Sequence, residues 1–200
     1  MVKDEFYHVY NRTVEGRDLF CDDEDRRRFL RSSIVFNDHF LEHNRIDLME
    51  DGKHPEHSHR PLISIVAYAL MDNHFHFLIQ QHADNAVARF MHRLGIGYTK
   101  YFNRKYNRTG SLFESSYKAV LINGDEQLLN TSRYIHLNPL DTFKSNARTS
   151  NFLETYPWSS YRHYLGLTSD LVVNGEMLNQ LLSKEEHRHF VSVGIDNYQN

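Results

Sequence analysis

The sequence predicts an α+β sandwich: a small, mainly antiparallel sheet with helices on one face. Three observations carry that prediction. Apolar residues form four short strand-like stretches, and between them they recur at helical spacing. Two of the strand stretches, 62–71 and 74–80, are separated only by Asp72-Asn73, a turn signal that makes them a hairpin. No Gly/Ser/Pro-rich linker divides the 200 residues, so one ordinary domain is long enough to bury the core.

Phe6 to Thr13 (FYHVYNRT) is rich in aromatic and β-branched residues and predicts the first strand. Asp22-Asp23-Glu24-Asp25 places acids where a helix start favours them, and Phe29, Leu30, Ser33, Ile34, Asn37, Phe40 and Leu41 follow as one stripe. Residues 42–60 are polar and irregular and predict an exposed loop. Leu62 to Met71 is a nearly continuous apolar run, expected to be a buried strand, and His74 to Gln80 is its hairpin partner. Asn85 to Arg104 predicts a helix weakened by Gly95 and Gly97. Tyr117 to Ile122 predicts another strand. Asn123 and Glu126 then resemble a capping pair that opens a helix ending at Pro139. A further helix is expected over Glu176 to Phe190. Residues 1–140 are read as the catalytic domain and 141–200 as an extension packed on it.

Hydrophobic residues make up 40% of the chain, a globular rather than disordered composition. Cys21 is the only cysteine, so no intrachain disulfide forms and a reducing compartment is expected. The N-terminus has no apolar signal core, and no apolar run reaches the ~18 residues of a membrane span. The expectation is a cytoplasmic protein with no membrane partner. The formal net charge is −3, which at first argues against nucleic acid, yet the charge is sorted along the chain. Ala86 to Phe113 holds six basic residues and no acid, and global acidity does not exclude a local basic groove.

On a strand, residues two apart share a face, so His74 and His76 project together while Phe75, Phe77 and Ile79 face the core. Two imidazoles so placed can grip one divalent ion and leave positions open. By itself the pair is a weak signal: two partly exposed strand histidines without a ligand are the plainer explanation, and 14 histidines in the chain dilute the pattern. Tyr134 and Asn138 in SRYIHLNP are four apart and share one helix face. A tyrosine is a possible nucleophile, and an amide oxygen a possible third ligand for Mg2+ or Mn2+. Taken singly, each is also an ordinary packed aromatic or a residue beside a proline.

Taken together, these pieces resemble a known family. MDNHFHFLI is similar to the histidine–hydrophobic–histidine strand of the HUH endonucleases. YFNRKYNRTGSLFESSYKAVLI followed by LLNTSRYIHLNPL resembles the single-tyrosine HUH transposases, in particular the REP-associated tyrosine transposases. YHVYNRTVEGRDLFCDDEDRRRFL and YPWSSYRHYLG match the same group, so the resemblance spans roughly residues 6–166 in order. It implies a ferredoxin-like sheet carrying both histidines, with His74 and His76 as metal pair, Asn138 as third ligand and Tyr134 as nucleophile. It further implies attack of Tyr134 on a phosphate of single-stranded DNA next to a hairpin, leaving a 5′-phosphotyrosine and a free 3′-hydroxyl. Asp72 stands where the family often has proline, a change expected to affect only the turn.

Arg89, Arg93, Lys100 and Arg104 repeat at helical spacing and, with Lys105, Arg108 and the strand-end Arg12, are the candidate DNA-binding residues. A solvated helix face is the alternative for the stripe, a salt bridge for Arg12, and core packing for Phe90 and Phe102. His54, His57 and His59 are read as solvated loop residues rather than a second metal site. Trp158-Ser159-Ser160-Tyr161 is read as a packing anchor. Two rival functions stand beside strand transfer: a DNA-binding protein that lost cutting, and a small-molecule metal phosphodiesterase. A homodimer is compatible with the sequence, which does not fix the oligomeric state.

Overall fold

The computed structural model describes residues 1–39, 60–142 and 150–198. The loop histidines His54, His57 and His59 lie outside these residues. Strands β1 (Phe6–Arg12), β2 (Ile63–Met71), β3 (His74–Gln81) and β4 (Lys118–Ile122) form one sheet in the order β2-β3-β1-β4. All pairings are antiparallel. With helices α1 (Asp23–Val35) and α2 (Ala86–Lys105) as the crossovers, this is the expected ferredoxin-like α+β sandwich.

Strand alternation sorts the side chains onto two faces. Tyr7 and Val9 of β1 and Phe75, Phe77 and Ile79 of β3 pack with Phe29 of α1 and Phe90, Leu94 and Tyr98 of α2. Leu78 of β3 and Ile122 of β4 face the other way, against Leu128 and Ile135 of helix α3 (Gly124–Leu137). Helices therefore cover both faces of the sheet, which corrects the expectation of helices on one face. The reason lies in β2. A register shift between Ile65 and Ala67 turns Val66 and Ala67 to the α3 side, and nearly the whole strand is buried. A strand apolar on both faces needs cover on both.

Local chemistry explains the element ends. Asp22 caps α1, its carboxylate accepting from Asp25 N at 2.9 Å. Gly97 is a packing site within α2, because a Cβ there would collide with the Phe36 ring. At the start of α3 the expected Asn123–Glu126 pair does not form. The Asn123 N–H instead donates to Gln127 Oε1 at 2.7 Å. The helix expected over 176–190 is two, α6 (Glu176–Leu181) and α7 (Lys184–Tyr198), after α4 (Ser150–Thr155) and α5 (Tyr161–Tyr164). Between α6 and α7, Leu182 is extended, and Ser183 and Glu186 make a reciprocal capping box that restarts the helix.

The segment before α5 is stitched to β2. Leu70 N donates to the Trp158 carbonyl, Ser160 N to the Tyr68 carbonyl, and Tyr68 N to Ser160 Oγ. Ser160 Oγ also lies 2.9 Å from His136 Nε2 of α3. Ser160 is thus a fastening point between sheet and helix, in keeping with the anchor reading.

Candidate active site

His74 and His76 share the α3 side of β3, with ring centroids 5.3 Å apart and nearly perpendicular. Their Nδ1 atoms are both engaged. His74 Nδ1 lies 2.6 Å from Asn73 Oδ1, and His76 Nδ1 lies 2.8 Å from Nε2 of His8 on β1. Burial lowers both imidazoles, His76 to about 2, with the His8 and His74 rings adding to the effect. His8 falls to about 4 for the same reason. All three rings are therefore neutral at pH 7, the state in which a histidine can ligate.

Helix α3 places the other two residues. Leu128 and Ile135 seat it on the sheet, which brings the Tyr134 ring edge-on to His76 (5.6 Å) and His8 (5.8 Å). Tyr134 remains 43% exposed, so its hydroxyl is reachable from solvent. Asn138 is 2% exposed, keeps helical backbone angles and donates from Nδ2 to the Tyr134 carbonyl at 2.7 Å. Its side chain lies against His74 and opposes the downward push of burial on that imidazole. With Nδ2 spent on the backbone, Oδ1 is the atom left for the histidine side. The structure thus brings together His74, His76, Asn138 and Tyr134.

Two clefts meet here. One is lined by Tyr10, Asn11, Arg12, Asn73, His74, His76, Glu114, Ser115 and Lys118. The second, lined in part by His8, Tyr10, His76, Asn130 and Tyr134, shares Tyr10 and His76 with it. A chain laid through both passes the histidines and reaches Tyr134.

The candidate basic residues are placed less simply. Arg89, Arg93, Lys100 and Arg104 do share one face of α2, turned from the core, but α2 lies on the sheet face opposite the histidines. Arg93 is half-buried, donating to the Asp38 carbonyl at 2.6 Å, and Arg89 donates to the His39 carbonyl. Lys105 bridges Asp22 and the buried Asp25, both at 2.7 Å. Arg108 stacks over Phe102 and reaches Asn103. Phe90 and Phe102 are core residues. Arg12 is in the histidine cleft, paired with Glu114.

Sequence reasoning missed His8, Tyr10 and Lys118. His8 and Tyr10 alternate on β1 as the two histidines do on β3, and that was the available signal. Only the cross-strand register, which pairs Tyr10 with both His76 and Lys118, shows that they meet. Asp72 does more than form the turn: its carbonyl accepts from Leu19 N and Phe20 N, and its carboxylate pairs with Arg26.

No group of three His, Cys, Asp or Glu side chains placed to hold a metal occurs among the described residues. The donor set that fits a metal is the mixed one: two neutral imidazoles with Nδ1 engaged, so that Nε2 is the nitrogen turned to a cation, and one amide oxygen. Hard cations accept such a site with positions left for water or phosphate.

No curated protein matches the sequence. Among solved structures, a REP-associated tyrosine transposase bound to a REP hairpin superposes with a TM-score of 0.55 at 12% identity, over 86% of this chain and 93% of that one. At that identity the likeness is one of fold. A tRNA(His) guanylyltransferase from Saccharomyces cerevisiae, at TM-score 0.39 and 9% identity over 98% of this chain and 79% of its own, carries no argument. The family described as Transposase IS200 like matches residues 7–138, more than half of the chain, from the second residue of β1 to Asn138. By that match, the chain belongs to the IS200-like transposase family.

Proposed function

We propose that this chain cuts and rejoins single-stranded DNA beside a hairpin, with Tyr134 as nucleophile and His74, His76 and Asn138 as the ligands of one Mg2+ or Mn2+ ion. Membership of the IS200-like family makes it a metal-dependent nuclease and strand transferase that works through a tyrosine link. The observation that supports these residue assignments is the edge-on approach of the exposed Tyr134 ring to His76, with Asn138 one turn further on touching His74.

When bound, a divalent ion supplies Lewis-acid polarisation of the scissile phosphate. The chain's own residues do the rest. His74, His76 and Asn138 fix where that phosphate sits, and α3 holds the Tyr134 hydroxyl on the open side of the cleft. Tyr134 Oη forms a bond to phosphorus as the bond to the 3′-oxygen breaks. The phenolic proton passes to the solvent that reaches the exposed Tyr134, and the departing 3′-oxygen takes a proton from solvent to become the free hydroxyl. The phosphotyrosine preserves the energy of the phosphodiester, so a second 3′-hydroxyl reverses the step and joins strands. Arg12 and Lys118 line the same cleft as the histidines and are the cations suited to the phosphates flanking the cut. The α2 stripe, on the opposite sheet face, serves only DNA that extends beyond the cut. The hairpin follows from likeness to the transposase solved with one.

The test uses a labelled single strand with a hairpin beside the cut and Mn2+. A denaturant-stable protein–DNA adduct should form, and EDTA or His76→Ala should abolish it. Binding with no adduct would favour a DNA-binding protein that lost cutting. Absence of DNA binding would favour a small-molecule phosphodiesterase.

A further inference from the structure

The two ligand histidines are braced differently. His74 Nδ1 is held by its chain neighbour Asn73, a contact made within one turn of hairpin. His76 Nδ1 is held from another strand, by Nε2 of His8 at 2.8 Å. The two rings are nearly coplanar, 23° between their planes with centroids 5.0 Å apart, so the hydrogen bond runs edge to edge, and the Tyr10 ring lies 5.3 Å from His76 at 22°. His76 is therefore hydrogen-bonded and flanked by side chains of β1.

We propose that His8 is a positioning residue that fixes His76 in the tautomer able to ligate metal. The inference rests on the metal-site reading above. The hydrogen bond between two neutral imidazoles has two forms. With the proton on His76 Nδ1, His8 Nε2 accepts, and His76 Nε2 carries a lone pair directed away from β1. With the proton on His8 Nε2 the roles invert, and His76 Nε2–H has nothing to offer a cation. Metal binding selects the first form, and His8 stabilises it by accepting. An outer partner of this kind orients the ligand ring and raises its basicity, and its loss typically costs 10–100-fold in metal affinity. The same assignment commits His8 Nε2 to His76, so His8 acts through the ligand and not on the DNA.

The test is a Co2+ titration followed by visible absorption, with apo-protein thermal unfolding as fold control. It uses the full chain and the variants His8→Phe, His8→Gln and His74→Ala. Phe keeps a flat ring without an acceptor; Gln returns an acceptor at the reach of the imidazole Nε2. His8→Phe should weaken Co2+ by about 10–100-fold at nearly unchanged Tm, and His8→Gln should recover much of that loss. Ring 15N shifts of the metal-loaded wild type should show His76 protonated at Nδ1. Wild-type affinity in His8→Phe, with His74→Ala defective, overturns the role of His8 and leaves the metal site standing. Equal losses in the Phe and Gln variants, tracking a fall in Tm, also overturn it, because packing alone would explain them. Unchanged affinity in His74→Ala overturns the metal-site reading and this inference with it.

Discussion

At the scale of single residues, most assigned roles depend on a neighbour that the linear sequence does not place beside them. His74 and His76 were legible because strand periodicity guarantees a shared face, and Tyr134 with Asn138 because helix periodicity does the same. His8 and Lys118 were not, since their relevance comes from the pairing of β1 with β3 and β4. Lys118 gives a direct prediction. It lines the histidine cleft, whereas Arg93 is half-buried and bonded to the Asp38 carbonyl. Lys118→Ala should weaken single-strand binding and reduce the salt slope by about 0.7, the loss of one phosphate contact. Arg93→Ala should leave that slope unchanged. A salt titration of the two variants showing the reverse would return the binding surface to α2.

At the scale of elements, the four strands and α2 were readable to within a residue or two, because β2 and β3 are strongly apolar and α2 strongly periodic. By contrast, α1 stops at Val35, short of the Asn37 expected on its stripe, and the last expected helix is two. The misreadings concern partners. A continuous apolar run says that β2 is buried, not that α3 covers its second face. The glycines of α2 were read as weaknesses, and the structure separates them. A Cβ at Gly95 meets nothing within 4 Å, while one at Gly97 meets the Phe36 ring at the end of α1. Gly95→Ala should therefore raise stability by about 0.5–1 kcal/mol through helix propensity. Gly97→Ala should lower it, because Phe36 is fully buried and has little room to move. Chemical denaturation of the two variants checks this, and equal shifts of the same sign would refute the packing role of Gly97.

At the scale of the whole molecule, histidine burial makes stability depend on pH. His187 of α7 is 1% exposed, stacks on Tyr164 and faces His136 of α3, and neither of its ring nitrogens has a hydrogen-bond partner among the described residues. Burial pushes His187 down to about 4, and His136 well below its ordinary value. A depressed folded-state value means that the unfolded chain binds the proton first. The contribution is complete above pH 6.5 and is lost as pH falls from 6.5 toward 4. For His187 alone the loss at pH 5 is roughly 2 kcal/mol. Denaturant unfolding at pH 7 and pH 5 should show that loss in the wild type and a smaller one in His187→Phe; equal losses would contradict it. These histidines lie far apart in sequence, which is why their meeting was not legible there. The central claim, that β3 and α3 together make a covalent strand-transfer site, is tested most directly by locating the bond itself. DNA-treated protein should be digested with protease and nuclease and the peptides sequenced by mass spectrometry. The account predicts a 5′-phosphonucleotide on the peptide containing Tyr134, absent in Tyr134→Phe, which still binds the strand. A nucleotide on another residue, with Tyr10 beside His76 the first to examine, or an adduct persisting in Tyr134→Phe, would contradict it.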